Sequence, residues 1–202
     1  MDILAKGAEA TIIRDNETVR KNREKKSYRL SQIDDRLRSA RTKKEANILR
    51  KLQSSSFPSP KIISSTPESG MLVMEHIPGP KIRDILENSD YTSIAREIGE
   101  RVARLHNMGI IHGDLTTSNM ILKQGHVYFL DFGLSYTSER VEDRAVDLHL
   151  FRQALESKHH TIWQKAFAAF GDSYSRHAGR AREILARFEI VEMRGRYKQK
   201  GS

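Results

Sequence analysis

The feature that most constrains this chain is a pair of acidic segments on either side of a short hairpin. His112-Gly-Asp114-Leu-Thr-Thr-Ser-Asn119 leads into two apolar runs, Met120-Ile-Leu122 and Val127-Tyr-Phe-Leu130, and Asp131-Phe-Gly133 follows them. The residues between the runs, Lys123-Gln-Gly-His126, supply the turn, with Gly125 able to take its positive φ. Such a hairpin is expected to bring Asn119 and Asp131 together. The chemistry needs that spacing: a carboxylate, Asp114, accepts a proton, an amide oxygen on the same loop reaches a metal, and a second carboxylate approaches that metal from the other strand. Asp and Asn taken singly more often cap helices and turns. Both segments in this order and at this separation arise by chance in fewer than about one in ten thousand chains.

This is the His, Asp and Asn spacing of the protein-kinase catalytic loop. The N-terminal half must then cover a nucleotide's phosphates. Gly7, Ala8, Glu9 and Ala10 keep one glycine of a glycine-rich loop and stand before two expected strands, 10–13 and 18–21, joined by a turn at Asp15-Asn16. Lys21, ending the second strand, is the candidate that neutralises phosphates, with Lys25 and Lys26 as competitors, and Glu45 is its candidate ion-pair partner. Ser31 can cap a helix from about 32 to 53, with apolar positions Ile33, Leu37, Ala40, Ile48 and Leu52. Glu45 lies near that apolar face, beside Ala46, Ile48 and Leu49. Met71-Leu-Val-Met74 reads as a buried strand, and Glu75, His76 and Ile77 directly after it as a hinge whose backbone meets adenine.

The expected fold is α+β. A small β-rich lobe with one helix spans 1–75, and a mainly helical lobe spans 76–202, in a minimal bilobal, kinase-like arrangement without an activation segment. In the second half Ile94, Ile98, Val102 and Leu105 form a helical stripe that Gly109 ends. Further helices are expected at about 144–155 and 162–170. His159-His160 has no partner at metal-ligand spacing and reads as a helix terminus. Asp147 resembles the helix Asp that braces a catalytic loop, although a lone acid can equally serve a helix N-terminus.

Charge is unevenly spread. Thirteen Lys or Arg stand between Arg20 and Lys51 against four acids, a surplus of nine that equals the formal charge of the whole chain. Arg194, Arg196, Lys198 and Lys200 form a second basic group, with Tyr197 among them. Two basic zones suit a polyanion such as a nucleic acid, because each neutralised phosphate releases counterions; a solvated face or a frayed tail is the plainer alternative. With no cysteine there is no disulfide framework, thiolate nucleophile or Cys-ligated zinc. No run is long and apolar enough for a membrane span, and the start lacks a signal pattern, so the cytoplasm is the expected location.

The residues together resemble a known group. Gly7 to Ala10, the 21–37 segment, Arg41-Thr-x-x-Glu45-Ala46, the His112 to Asn119 loop, Asp131-Phe-Gly-Leu134, Glu142-Asp-Arg-Ala-Val-Asp-Leu148 and Arg194-Gly-Arg196 are similar to the small kinase-like ATPase of the KEOPS complex, the PRPK family. The short form points to an archaeal member. The resemblance implies a minimal bilobal kinase fold, ATP with magnesium, and a part in threonylcarbamoyl modification of adenosine in tRNA. It further implies Asp114 as proton acceptor, Asn119 and Asp131 as metal ligands, Lys21 and the Gly7 to Ala10 loop on ATP, and docking to the metal-containing transferase subunit and other KEOPS subunits.

Departures from ordinary protein kinases fit that reading. Gly113 replaces the Arg that reads a phosphorylated activation loop, and thirteen residues between Gly133 and Asp147 leave no space for an activation segment or an A-P-E motif. Phosphoryl transfer to water or to a Ser of the protein itself is the expected outcome. Three rivals stand beside it. An aminoglycoside-type phosphotransferase builds an acidic acceptor cleft, which this basic chain lacks. A RIO-type atypical Ser/Thr kinase shares the missing activation segment but usually carries an extra N-terminal helical domain and no Phe-Gly after the metal Asp. A non-catalytic, tRNA-binding pseudokinase scaffold has no need of Asp114, Asn119 and Asp131 together.

Overall fold

The computed structural model describes residues 2–7, 9–28 and 30–199, with side chains as far as 194. Two compact units divide the chain, Met1–Pro78 with Tyr128–Leu134, and Gly79–Val127 with Ser135–Ser202. The sequence placed a single boundary at 75/76. The 128–134 segment joins the first unit because its aromatic residues belong to that unit's core: Phe129 packs on Phe57 with ring centroids 5.5 Å apart, and its N–H donates to the Pro58 carbonyl at 2.9 Å.

The first unit contains β1 (Asp2–Lys6), β2 (Thr11–Asp15), β3 (Thr18–Asn22), α1 (Ser31–Ser54), β4 (Ile62–Thr66) and β5 (Met71–Glu75). The strands form one antiparallel sheet in the order β1-β2-β3-β5-β4. β2 and β3 are joined through Asn16 and Glu17, and Asn16 takes a left-handed φ of 54° that a tight hairpin demands. Thr18 Oγ1 closes the turn by donating to the Asp15 carbonyl at 2.8 Å.

Helix α1 departs from its expected rotation. Ser31 is its first residue, Leu30 occupies the cap position, and no side chain caps it. Ile33, Leu37 and Ala40, expected to be inside, are exposed, while Asp34, Arg38, Thr42 and Glu45 are buried. Only from Ala46 onward does the helix bury an ordinary apolar face of Ile48, Leu49 and Leu52. Polar groups are tolerated inside because each finds a hydrogen-bonding or charged partner.

The second unit contains α2 (Ile82–Ile85), α3 (Tyr91–Asn107), β6 (Ile110–Ile111), β7 (Met120–Lys123), β8 (His126–Phe129), β9 (Tyr136–Thr137), α4 (Val141–Lys158), α5 (Trp163–His177) and α6 (Ala181–Gln199). β7 and β8 are the expected hairpin, with Gln124 and Gly125 both at positive φ, and β8 carries the chain into the first unit. Asp90 caps α3 by accepting from the Ser93 N–H at 3.0 Å, and Gly109, at φ 68°, follows the helix's last turn. The α3 stripe of Ile94, Ile98, Val102 and Leu105 is buried. Gly99 lets α5 approach closely, since a Cβ there would strike the Phe170 carbonyl.

Residues 194–200 were expected as a basic tail, and no element was expected at 181–193, where helix α6 begins. Its Ile184, Phe188 and Val191 are buried at helical spacing, and Phe188 meets Phe167 of α5 at 5.5 Å. Ion pairs along α4 hold it further: Glu142 accepts from Arg187 at 3.2 Å and Arg194 at 2.8 Å, while Glu192 pairs with His149 and with Arg152 at 2.8 Å. The side chains of Arg196, Tyr197 and Lys198, and Lys200 altogether, lie outside the described residues.

Candidate functional site

Three residues expected to act together meet in the first unit. The Lys21 ammonium lies 2.9 Å from Glu45 Oε1 on α1 and 2.7 Å from Asp131 Oδ1. Burial works against the charged ammonium, but the Glu45 and then the Asp131 carboxylate outweigh it, so Lys21 titrates above its ordinary value. Lys25 is exposed and faces Asp35 at 3.3 Å, and Lys26 donates its backbone N–H to Asp34 at 3.3 Å. Of the three competing lysines, Lys21 is the one held between the carboxylates.

A further cation at this cluster was missed. Arg23 is buried, pairs with the other Glu45 oxygen, and donates to Thr42 Oγ1 at 3.2 Å. Its carbonyl accepts from Arg38 at 3.0 Å, and Arg38 in turn donates to Asp34 at 3.1 Å. The buried stripe of α1 is therefore one ionic ladder ending at Lys21. The signal was present: Lys21 and Arg23 stand two apart at a strand end, the spacing that puts side chains on one face.

Asp131 adopts a left-handed φ of 55°, a conformation that non-glycine residues reach rarely and mostly where surroundings enforce it. Its Oδ1 accepts the Gly133 N–H at 3.2 Å. A side chain at Gly133 would crowd the cluster, with Asp131 Oδ1 at 3.1 Å, the Arg23 guanidinium at 3.2 Å and Lys21 Nζ at 3.3 Å from its Cβ. Those three side-chain ends would have to give by a few tenths of an ångström to admit one.

The expected phosphate cover and hinge also lie in this unit. The Gly7 N–H donates to the Ala10 carbonyl at 3.0 Å, closing a tight loop, and the Glu9 carboxylate pairs with Arg41 of α1. Ala8 lies outside the described residues. A Cβ at Gly7 would meet only the Ala10 carbonyl, at an ordinary 3.7 Å. At the hinge, Glu75 donates its N–H to the Lys61 carbonyl at 2.8 Å and His76 donates to the Glu17 carbonyl at 2.9 Å. Two of the hinge's three N–H groups are spent inside the unit, and Ile77 is buried.

The second unit holds the residues expected to form a catalytic loop. Asn119 Nδ2 donates both to Asp114 Oδ2 at 2.8 Å and to the Asp114 carbonyl at 2.9 Å. The amide NH2 is thereby committed to Asp114, and the amide oxygen is the atom that could bind a cation. Asp147 braces the start of the loop from the middle of α4, accepting from the His112 N–H at 2.8 Å and the Gly113 N–H at 2.9 Å. Burial works against the Asp147 charge, but His106 at 3.2 Å and the His112 N–H outweigh it and hold the carboxyl below its ordinary range. His106 is itself oriented by the Tyr174 hydroxyl at 2.7 Å. The Ser135 hydroxyl donates to the His112 carbonyl at 2.7 Å.

The donor set suits a hard cation and phosphate. The Asn119 amide oxygen of the second unit and the Asp131 carboxylate of the first are each hard oxygen donors, of the kind magnesium takes together with substrate phosphates. Among the described residues no cluster of three or more His, Cys, Asp or Glu forms a self-sufficient metal cage. No helix among the described residues is long and apolar enough to cross a membrane.

Comparison with known proteins identifies the family. The model of the RIO domain family matches residues 9–148. KEOPS complex subunit Bud32 of Pyrococcus abyssi is 39% identical over 89% of this chain and 84% of its own. A probable bifunctional tRNA threonylcarbamoyladenosine biosynthesis protein of Methanothermobacter thermautotrophicus is 40% identical over 97% of this chain, which spans 36% of that longer protein. The Rio2 kinase of Chaetomium thermophilum, solved as an ADP/Mg2+-phosphoaspartate complex, shares the fold with a TM-score of 0.64 at 17% identity, covering 98% of this chain and 70% of that one. The KEOPS and RIO readings, set against each other on sequence, are joined by these matches: the chain belongs to the RIO domain family and, within it, to the Bud32 group of kinase-like proteins.

Proposed function

We propose that this protein is an ATP-hydrolysing, atypical Ser/Thr kinase-like subunit that supports threonylcarbamoyl modification of adenosine in tRNA. The observation that carries the reading is the Lys21 ammonium held between Glu45 and Asp131, at 2.9 and 2.7 Å. A buried ammonium held charged between two carboxylates is the group that phosphoryl transfer uses to neutralise phosphates.

In this reading Lys21 contacts the nucleotide's phosphates, and Glu45 keeps it in place. The Gly7 to Ala10 loop covers the phosphates, with Gly7 free of side-chain bulk that the chain itself would have tolerated. The hinge of Glu75 and Ile77 meets adenine through the Ile77 N–H. Asn119 and Asp131 are the residues that would hold magnesium, which when bound would neutralise charge on the phosphates. Asp114 takes the proton of the acceptor, and its bond to Asn119 keeps that carboxylate aimed. With nine residues between Asp131 and α4 there is no platform for a docked protein substrate, which favours water, or a Ser of the protein itself, as acceptor.

The relatives' names supply the biological setting. They support a place beside the metal-containing transferase subunit and other KEOPS subunits, with tRNA contacted through the basic zones at 20–51 and 194–200, and cytoplasmic work. The test is release of phosphate from γ-labelled ATP with magnesium, for wild type and Asp131→Ala, alone and with the transferase subunit and tRNA. Release that rises with partner and tRNA and vanishes in the variant is expected. Label on an added protein would make this a conventional kinase. Bound tRNA with no turnover in any tube would make it a scaffold.

A further inference from the structure

His159 ends α4 as a fully buried imidazole, and the catalytic reading gives it no task. Its Nε2 lies 3.0 Å from the hydroxyl of Thr117, itself buried, between Asp114 and Asn119. Its backbone is fixed on both sides, donating to the Leu155 carbonyl at 2.7 Å and accepting from Ile162 at 3.1 Å and Trp163 at 2.9 Å. The ring therefore projects from the α4–α5 junction, where two helices hold it.

The protons can be assigned from the partners. The Glu87 carboxylate lies 3.9 Å from Nδ1, too far for a hydrogen bond, and its negative charge favours the ring proton on that nitrogen. Nε2 then accepts from the Thr117 hydroxyl. Burial pushes the imidazole down from its ordinary value, which suits a neutral ring with one donor and one acceptor. Two polar groups this deeply buried are costly unless paired, so the bond selects one position for residue 117.

That position matters because Thr117 opens the turn Thr117–Asn119. Asp147 grips the loop at His112 and Gly113, and nothing in that grip fixes the far end. We propose that His159 is a positioning residue that, through Thr117, holds the far end of the Asp114 to Asn119 loop. α4 then braces the loop twice, from its middle and from its end. The proposal rests on the catalytic reading of this loop for its consequence, but the positioning itself can be measured without turnover.

The experiment compares Thr117→Val, which keeps the shape and removes the hydroxyl, with Thr117→Ser, which restores it, and with His159→Leu. Amide hydrogen exchange over residues 112–120 is read together with steady-state ATP hydrolysis in the presence of partner and tRNA. In Thr117→Val, exchange should rise and kcat fall, each about tenfold as expected when one buried hydrogen bond is removed, with KM for ATP unchanged. Thr117→Ser should recover both. The double variant Thr117→Val/His159→Leu should be no worse than either single one. Wild-type exchange in Thr117→Val, or no recovery with Ser, overturns the proposal whatever the turnover. Should His159→Leu fail to fold, the two Thr117 variants still decide. Absence of Asp131-dependent hydrolysis in the wild type overturns the function instead, and the exchange measurement then decides the positioning role alone.

Discussion

Asn119 is hydrogen-bonded twice to Asp114, through one amide nitrogen that donates to the side-chain carboxylate at 2.8 Å and to the main-chain carbonyl at 2.9 Å. The two bonds tie the proposed base to the proposed metal ligand within one turn. Asp114→Asn keeps a side-chain oxygen that can accept the same bond. Its thermal unfolding should match wild type while ATP turnover falls about 10²–10⁴-fold, the usual worth of a positioned base. Parallel calorimetry and phosphate release check this, and a variant that loses stability and turnover together would argue for a structural role.

Glu45→Gln removes the negative charge that Lys21 and Arg23 share. Breaking a buried pair leaves uncompensated charge and costs about 3–5 kcal/mol. Urea unfolding should show that loss, and the affinity for ATP should fall with it.

Asp147 makes stability depend on acid. Its carboxyl is held below its ordinary 3.8, so the stabilisation is complete above that value and is lost as pH falls through the lower folded-state value. Asp147→Asn should destabilise the protein at neutral pH and flatten the stability profile below pH 3.8 relative to wild type. Denaturant midpoints across pH 2–6, about the range over which carboxylates titrate, give the comparison.

The basic end of α6 predicts a salt effect. Deleting residues 194–202 should weaken tRNA binding and reduce the slope of log affinity against log salt by about one unit for each phosphate the protein ceases to neutralise. Binding titrations at several salt concentrations measure it. Identical slopes would assign these charges to solvent and to the Arg194 pairing with Glu142.

Helix α1 separates burial from hydropathy. Leu37→Glu, on the outward face, should change stability by no more than about 0.5 kcal/mol, whereas Leu49→Ala should cost about 2–5 kcal/mol. Unfolding of the two variants under one set of conditions tests both values.

That contrast also shows what the sequence could reveal. The β7–β8 hairpin, the α3 stripe and the pairing of Lys21 with Glu45 were legible because each is a local pattern or a motif of fixed spacing. β1 and β4 were not, since both are edge strands with largely exposed side chains and carry little alternation. α6 had a readable Ile184, Phe188, Val191 repeat, but its basic end drew the eye to a tail. The Arg23 to Asp34 ladder was hidden for a deeper reason: apolar periodicity points to the wrong face of α1, and no pattern of charges announces that they will be buried. His159 was read correctly as a helix end, yet its bond to Thr117 joins positions 42 residues apart and leaves no local trace.

The inverted face of α1 has a consequence for anyone redesigning the protein. In most helices oil sets the rotation about the long axis, and many apolar residues can substitute for one another without disturbing it. Here the setting of the first half is held by a row of matched charges, which only one rotation satisfies. Repainting α1 by hydropathy, with Ile33 and Leu37 inward, would demand a turn of roughly 100° and would carry Glu45 away from Lys21. The helix is therefore keyed rather than greased, and the key is the same set of groups that positions the ammonium.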